Sequence, residues 1–208
     1  MTVGQAEHIL MTLKRTAAAL RDAQVPFALA GGLAAWARGG PPTEKDIDLI
    51  IRQDDCDRAL AALEEIGFRT EIPPEGWLVK AYDGDVLIDL IHRPSGLVVD
   101  DRLLARCDVM SVHALTMPVM TVEDLLVSKL LSLTEHHLDF APALEIARAL
   151  REQVNWGCLR ARSDSSPFAR SFFVLVQELG IWHDEEPRSG HASLLTPVLG
   201  APIRSRHA

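Results

Sequence analysis

The sequence predicts an α/β (α+β) protein in which a mixed sheet with flanking helices is followed by a helical C-terminal portion. Up to about residue 115, short apolar segments of strand length alternate with segments of helical periodicity. After Pro118 the apolar residues recur at helical spacing alone. Hydrophobic residues make up 48% of the 208 residues, so the chain can bury a sizeable core.

The first elements follow from the spacing of apolar residues. Helical spacing predicts a helix over residues 5–23. The short apolar run 25–30 predicts a strand that ends at Gly31-Gly32, and a second helix begins within residues 33–38. The sequence therefore places a glycine turn between a strand and a helix.

The later elements are predicted from the same periodicities and from their capping residues. Thr121 is the expected N-cap of the helix that carries Lys129, with Asp124 at the capping-box position. The other predicted elements are strands at residues 45–52, 76–81 and 85–92, and helices at residues 54–66, 140–152 and 168–179.

These elements divide the chain into three parts. Residues 1–115 form the predicted catalytic domain, because the chemistry-bearing motifs described below lie in the strands of this part. Residues 116–182 form the helical C-terminal portion. Residues 183–208 are rich in Pro, Ser, Gly and His and are expected to be an irregular tail.

Composition excludes several classes of protein. The net charge of −8, from 21 basic and 29 acidic residues, argues against a broad nonspecific nucleic-acid surface. Arginines near the C-terminus leave room for a local basic groove. Three widely spaced cysteines fit reduced thiols in a cytoplasmic protein. No signal-peptide pattern or membrane span is expected.

The carboxylate pair Asp46 and Asp48 is the most informative motif. Alternate residues of a strand point to the same face, so the two acids project together while Ile47 and Leu49 face the other way. Two carboxylates on one face repel each other unless a cation lies between them. Oxygen ligands suit Mg²⁺, which usually binds one or two carboxylates together with substrate phosphates. The alternative is an edge strand with two solvated acids.

Three further signals accompany this pair, and each has a structural alternative. Gly31 and Gly32 let backbone N–H groups approach a phosphate at the start of a helix, or they form only a tight turn. Asp89 in an apolar strand is costly to bury unless it binds a metal or pairs with a base. Lys129 in an apolar helix points at a triphosphate, or its ammonium group reaches solvent.

Together these motifs resemble the DNA polymerase β-like nucleotidyltransferase superfamily. The matching segments are Ala30-Gly31-Gly32, Asp46-Ile47-Asp48-Leu49 and Ile88-Asp89-Leu90. The later segment 123–130 looks like the helix that follows the catalytic sheet in the abortive-infection (AbiE-like) nucleotidyltransferase toxins. The resemblance implies the nucleotidyltransferase fold.

The resemblance also implies roles for individual residues. Asp46, Asp48 and Asp89 would bind two Mg²⁺ ions and catalyse the reaction, with Asp89 helping to activate the attacking hydroxyl. Gly31, Gly32 and Lys129 would bind the phosphates of a nucleoside triphosphate. Relatives often have Thr directly before the first Asp. Here Glu44 and Lys45 intervene, and Glu44 is expected to weaken phosphate binding.

The expected activity is Mg²⁺-dependent transfer of a nucleoside monophosphate from an NTP to a hydroxyl of an acceptor. RNA or tRNA is the acceptor that the toxin-like resemblance implies, together with an antitoxin-like partner. An aminoglycoside-like small molecule and a protein hydroxyl remain open alternatives. A nucleotide-binding regulatory module without turnover is the alternative from another class.

Overall fold

The computed structural model describes residues 3–43 and 46–183, which contain one seven-stranded mixed sheet and eight α-helices. The strands are β1 (Phe27–Leu29), β2 (Ile47–Ile51), β3 (Arg69–Glu71), β4 (Leu78–Asp83), β5 (Val86–Ile91), β6 (Asp108–Val112) and β7 (Leu115–Val119). The helices are α1 (Val3–Asp22), α2 (Gly31–Ala37), α3 (Cys56–Glu65), α4 (Asp101–Ala105), α5 (Val122–Leu131), α6 (Ala141–Ala149), α7 (Trp156–Ser163) and α8 (Pro167–Glu178). This architecture confirms the predicted fold class.

The sheet has the strand order β3-β4-β5-β2-β1-β7-β6. Strand β2 runs parallel to β5 and antiparallel to β1. Both β2 and β5 are interior strands, and their apolar residues Ile47, Leu49, Ile88 and Leu90 are fully buried. The register of β2 and β5 is therefore strongly specified, because a slip by one residue would expose these side chains.

The hairpin of β6 and β7 was not predicted. Its turn residues His113 and Ala114 both have positive φ, 47° and 62°. Two-residue hairpin turns of this kind favour Asn-Gly or Asp-Gly, because glycine tolerates positive φ. The sequence lacks that signal here, although the exposed His113 ring stacks on Trp36 with ring centroids 4.7 Å apart.

The C-terminal part is helical, as predicted, but the sheet extends into its first residues. Strand β7 lies between β1 and β6, and it begins where the boundary near residue 115 was placed. The division into domains stays a prediction. The predicted tail lies outside the described residues except for His183. In the part of the chain that the structure describes, no helix has the length and apolar character to cross a membrane.

The start of α5 is capped as predicted, but Asp124 has a different role from the one expected. The Asp124 N–H donates to Thr121 Oγ1 at 3.2 Å, which confirms the N-cap. The Asp124 carboxylate is fully buried and accepts two hydrogen bonds of 2.8 Å from Arg106 and a further one from Arg162. This ion triad joins α5 to the residue after α4 and to α7.

Charge removal at Asp124 should destabilise the protein. Burial alone would raise the pKa of Asp124, but hydrogen bonds from Arg106 and Arg162 hold that pKa below its usual range. Asp124→Asn is expected to cost about 1.5–3 kcal/mol at pH 7. Both arginines keep contact with water, so the cost stays below that of stranding a fully buried charge.

Urea unfolding between pH 7 and pH 3 measures this cost. A carboxyl whose folded pKa is depressed stabilises the protein above its unfolded pKa of about 3.9, and loses that effect as the pH falls through the folded pKa. The difference between Asp124→Asn and wild type should therefore shrink only at the acidic end. Asp101→Asn, at an 81% exposed partner of Arg52, is the control and should cost less than about 1 kcal/mol. Equal costs for both variants would contradict the assignment.

Candidate active site

Two of the three predicted acids lie side by side in the sheet. Asp48 of β2 and Asp89 of β5 are paired in parallel register. Neighbouring strands are about 4.8 Å apart, and paired residues share a face. Both side chains are half-buried, and both are flanked along the chain by fully buried apolar residues. The register thus brings together two carboxylates that are 41 positions apart in the sequence.

Asp46 lies one residue before β2 and is exposed. Its negative charge contributes to raising the pKa of both Asp48 and Asp89, so the three acids share one electrostatic environment. Within residues 3–43 and 46–183, however, no group of three His, Cys, Asp or Glu side chains is arranged to hold a metal ion. A metal at this site would need further oxygen ligands from a substrate.

The two strand carboxyls are electrostatically strained. Burial, with the nearby Asp89 and Asp46, raises the pKa of Asp48 to about 6, although Lys129 and a hydrogen bond from the Gly32 N–H oppose this shift. Burial also raises the pKa of Asp89, opposed by Lys80. In the described residues the buried Asp89 Oδ1 accepts no hydrogen bond. Adjacent acids with an unsatisfied oxygen fit a bound divalent cation, which would offset their repulsion.

The glycine turn holds bare backbone against Asp48. Gly31 begins α2 with a φ of +57°, and a Cβ there would lie 1.8 Å from Asp48 Oδ2. A Cβ on Gly32 would lie 2.6 Å from Thr43 Oγ1. Because any side chain at Gly31 would occupy the place of the carboxylate, glycine is required here by close approach as well as by φ. The two glycines predicted to form a turn before the helix are instead the first two residues of α2, where Gly31 makes the change of chain direction.

A cavity of about 540 Å³ opens beside this turn. Gly31, Asp48 and Lys129 all line it. Lys129 is half-buried on α5, and its charge lowers the pKa of Asp48, which lines the same cavity. The predicted glycine, carboxylate and lysine are therefore brought to one cavity, while their roles stay predictions.

Sequence reasoning missed five polar or aromatic residues that line the same cavity: Trp77, Arg93, Ser95, Ser128 and Ser132. The two serines of the α5 region flank Lys129, and hydroxyls in such an apolar segment were an available signal. The other three lie on connections at the ends of β4 and β5, where no periodicity marks them. Glu44, expected to disturb phosphate binding, lies outside the described residues.

Known structures share this fold. The antibiotic-resistance factor ANT(2'')-Ia in solution matches with a TM-score of 0.59 at 17% identity, covering 86% of this chain and 100% of that chain. The crystal structure of ANT(2'')-Ia in complex with adenylyl-2''-tobramycin matches with a TM-score of 0.57 at 17% identity, covering 78% and 97%. The lincosamide antibiotic adenylyltransferase LnuA, bound to lincomycin, gives a TM-score of 0.48 at 16% identity, covering 74% and 99%.

The family match covers most of the sequence. No curated protein matches the chain. The sequence profile of the family described as "Uncharacterised nucleotidyltransferase" matches residues 1–179. This span includes all seven strands of the described sheet and every predicted site residue. The chain therefore belongs to this family and is a nucleotidyltransferase.

Proposed function

We propose that this protein transfers a nucleoside monophosphate from a Mg²⁺-bound NTP to a hydroxyl of a small-molecule acceptor. The observation that carries the proposal is the pairing of Asp48 with Asp89, where Asp48 lines a cavity together with Gly31 and Lys129. Adjacent carboxylates suit a divalent cation, and a lysine with bare backbone suits phosphates.

Asp48 and Asp89 would hold the cation, and a metal-binding role for the exposed Asp46 stays a prediction. Bound there, a divalent ion would stabilise the charge that develops on the transferring phosphate. Mg²⁺ commonly completes its ligand set with substrate phosphates, which fits the lack of a three-acid cluster in the described chain. The two Mg²⁺ ions that the resemblance implies stay a prediction.

The reaction is an in-line displacement at the α-phosphorus. The acceptor oxygen forms the new bond to phosphorus, the bond to the bridging oxygen breaks, and pyrophosphate leaves. Asp89, in register with Asp48, would take the proton of the attacking hydroxyl. Lys129 neutralises the triphosphate, and the backbone of Gly31 and Gly32 lets the phosphates approach closely.

Several observations favour a small-molecule acceptor over RNA. The C-terminal arginines that could form a basic groove are partly engaged: Arg162 binds Asp124, Arg151 binds Glu152, and Arg170 donates to the Asp164 carbonyl. The net charge of −8 disfavours a polyanion. The two solved structures with the higher TM-scores belong to an antibiotic-resistance factor, one of them with an adenylylated tobramycin. Three further expectations stay predictions. They are the particular likeness to AbiE-like toxins, the tRNA acceptor and the antitoxin-like partner.

Pyrophosphate release tests the proposal. The protein is incubated with Mg²⁺, each of the four NTPs, and separate pools of hydroxylated small molecules and RNA. Asp89→Asn is expected to lower turnover by about 10²–10⁴-fold, because the proton acceptor is lost. The matched control is Asp85→Asn, an exposed acid in the turn before β5, which should keep wild-type turnover. Wild-type turnover in Asp89→Asn would refute the role assigned to Asp89.

The charged Asp48 carboxylate should lower the stability of the metal-free protein. With EDTA present at pH 8, Asp48→Asn should be more stable than wild type by about 1–3 kcal/mol, because a buried charge next to Asp89 is removed. The folded pKa of about 6 lies above the usual 3.8, so the penalty appears only as the pH rises from 4 through 6.

Denaturant unfolding at pH 4 to 8 measures this difference, and a pyrophosphate assay on the same variant should show loss of turnover. The advantage of Asp48→Asn should vanish near pH 4, where the wild-type carboxyl is protonated. A variant that is less stable than wild type at pH 8 would contradict the electrostatic strain described for this pair.

Glycine at position 31 can be required because the Asp48 carboxylate lies so close or because φ is positive, and a pair of alanine substitutions distinguishes the two reasons. Gly31→Ala should abolish NTP binding and lower stability, since its Cβ would displace the Asp48 carboxylate. Gly39→Ala is the matched control: Gly39 also has positive φ, +91°, but a Cβ added there would have no neighbouring atom within 4 Å. The control should cost only about 1 kcal/mol and keep activity. Equal loss of NTP affinity in both variants, measured by calorimetry, would remove the close-approach explanation.

A further inference from the structure

We propose that Trp77 and Arg93 form the acceptor-binding wall of the cavity, and that the acceptor is a hydroxyl-bearing ring with a negatively charged substituent. This inference rests on the proposed nucleotidyl transfer and narrows its acceptor. It sets the preferred substrate apart from polycationic amino sugars such as tobramycin.

The sheet order relates the side from which the acceptor approaches to the side on which pyrophosphate leaves. Strand β2, with Asp48, lies between β1 and β5. Gly31 follows β1 on one side, and Asp89 lies on β5 on the other. In an in-line displacement the attacking and leaving oxygens lie on opposite sides of the phosphorus. If pyrophosphate leaves over the glycine turn, the hydroxyl attacks over β5, and the body of the acceptor extends toward β4.

Trp77 and Arg93 lie on that side of the cavity. Trp77 directly precedes β4, and Arg93 follows β5 by two residues. The Trp77 carbonyl accepts hydrogen bonds of 3.1 Å from the backbone N–H groups of both His92 and Arg93. Arg93 Nη2 donates to the Gly76 carbonyl at 2.7 Å. These three bonds hold the two residues at fixed positions on the wall.

The Trp77 ring is available to a ligand. The residue is 41% exposed, although it lines the cavity. Elsewhere the described tryptophans stack on other rings, but Trp77 contacts no aromatic ring or cation among the described residues. A rigid, half-exposed indole presents a flat apolar face, which suits a substrate ring.

The charges around this wall favour a negatively charged acceptor. Arg93 makes no ion pair within residues 3–43 and 46–183, so its charge is available. Lys80 is paired with Asp89 in the strand register, and Lys129 lines the cavity. The proposed mechanism uses Asp48 and Asp89 to bind the cation and Lys129 to neutralise the triphosphate, so the positive charges of Arg93 and Lys80 are the ones assigned to the acceptor. Arginine binds both carboxylate and phosphate groups through paired N–H···O hydrogen bonds.

The test compares acceptors that differ only in charge. Pyrophosphate release from Mg²⁺-ATP is measured with glucose, glucuronate, glucose 6-phosphate, glucosamine and tobramycin at equal concentrations. At least one of the two anionic sugars should support release about tenfold or more faster than glucosamine. The two anionic arms distinguish a carboxylate from a phosphate substituent. Faster release with either amine, or no release above the water rate with both anionic sugars, would overturn the proposal.

Substitutions at Trp77 and Arg93 then test whether these two residues cause the preference for an anionic acceptor. Arg93→Gln should remove the advantage of the anionic sugar, while Arg102→Gln, at an exposed arginine of α4, should keep it. Trp77→Ala should raise KM for the sugar about tenfold, with Trp77→Phe intermediate. In calorimetry with the non-hydrolysable analogue α,β-methylene-ATP, both wall variants should keep wild-type affinity.

The outcomes separate this proposal from the proposed function. Weaker binding of α,β-methylene-ATP to Trp77→Ala, with an unchanged KM for the sugar, would place the nucleotide on this wall and refute the acceptor assignment. An unchanged anion preference in Arg93→Gln would refute the role of Arg93. Failure of the wild-type protein to bind the analogue with Mg²⁺ would instead refute nucleotidyl transfer itself.

Discussion

The adjacent burial of Asp48 and Asp89 is the constraint on which the rest of the site depends. Burial raises the pKa of both carboxyls, and the charge of Asp89 raises that of Asp48 further, so the pair destabilises the folded chain at neutral pH. The surrounding structure reduces this cost through the Gly32 N–H and the charge of Lys129. The missing side chain at Gly31 leaves room for the Asp48 carboxylate. Stability is thus given up where a cation and phosphates are proposed to bind.

Helix α5 connects the C-terminal helices with the cavity, because contacts with other parts of the chain hold it in place and Lys129 on it lines the cavity. Its first turn is fixed by the buried Asp124, which binds Arg106 and Arg162 from two other parts of the chain. Lys129 lies five residues further along the same helix, so the ion triad helps to fix the helix that carries Lys129. Further along, Leu131 packs against Gly96, where a Cβ would lie 2.1 Å from the Leu131 side chain. The loop after β5 is therefore held against α5 at one side of the cavity.

The fold is shared with an antibiotic-resistance factor at 17% identity, so the chemistry of this chain must be argued from its own cavity. That cavity is lined by a carboxylate, bare glycine backbone and a lysine, and also by an indole and an arginine. The first set suits a metal-bound triphosphate. The indole and the arginine do not suit a polycationic acceptor, because the positive charge of the arginine would repel the positive charges of that acceptor at short range. Fold and acceptor preference are thus separate properties of this protein.

The sequence by itself determined the fold class, the glycine turn and the strands that carry Asp48 and Asp89, because period-two and helical patterns are local and record which face is buried. The family resemblance marked Lys129 as a phosphate-binding residue, and the structure places Lys129 in the lining of the cavity. Only the tertiary structure decided that Trp77 and Arg93 share this cavity and that Asp124 binds two arginines. These contacts join residues far apart in the chain, and neither periodicity nor a turn signal specifies them. The β6–β7 hairpin escaped prediction for a related reason: its turn adopts positive φ without glycine, which packing on the folded sheet must stabilise.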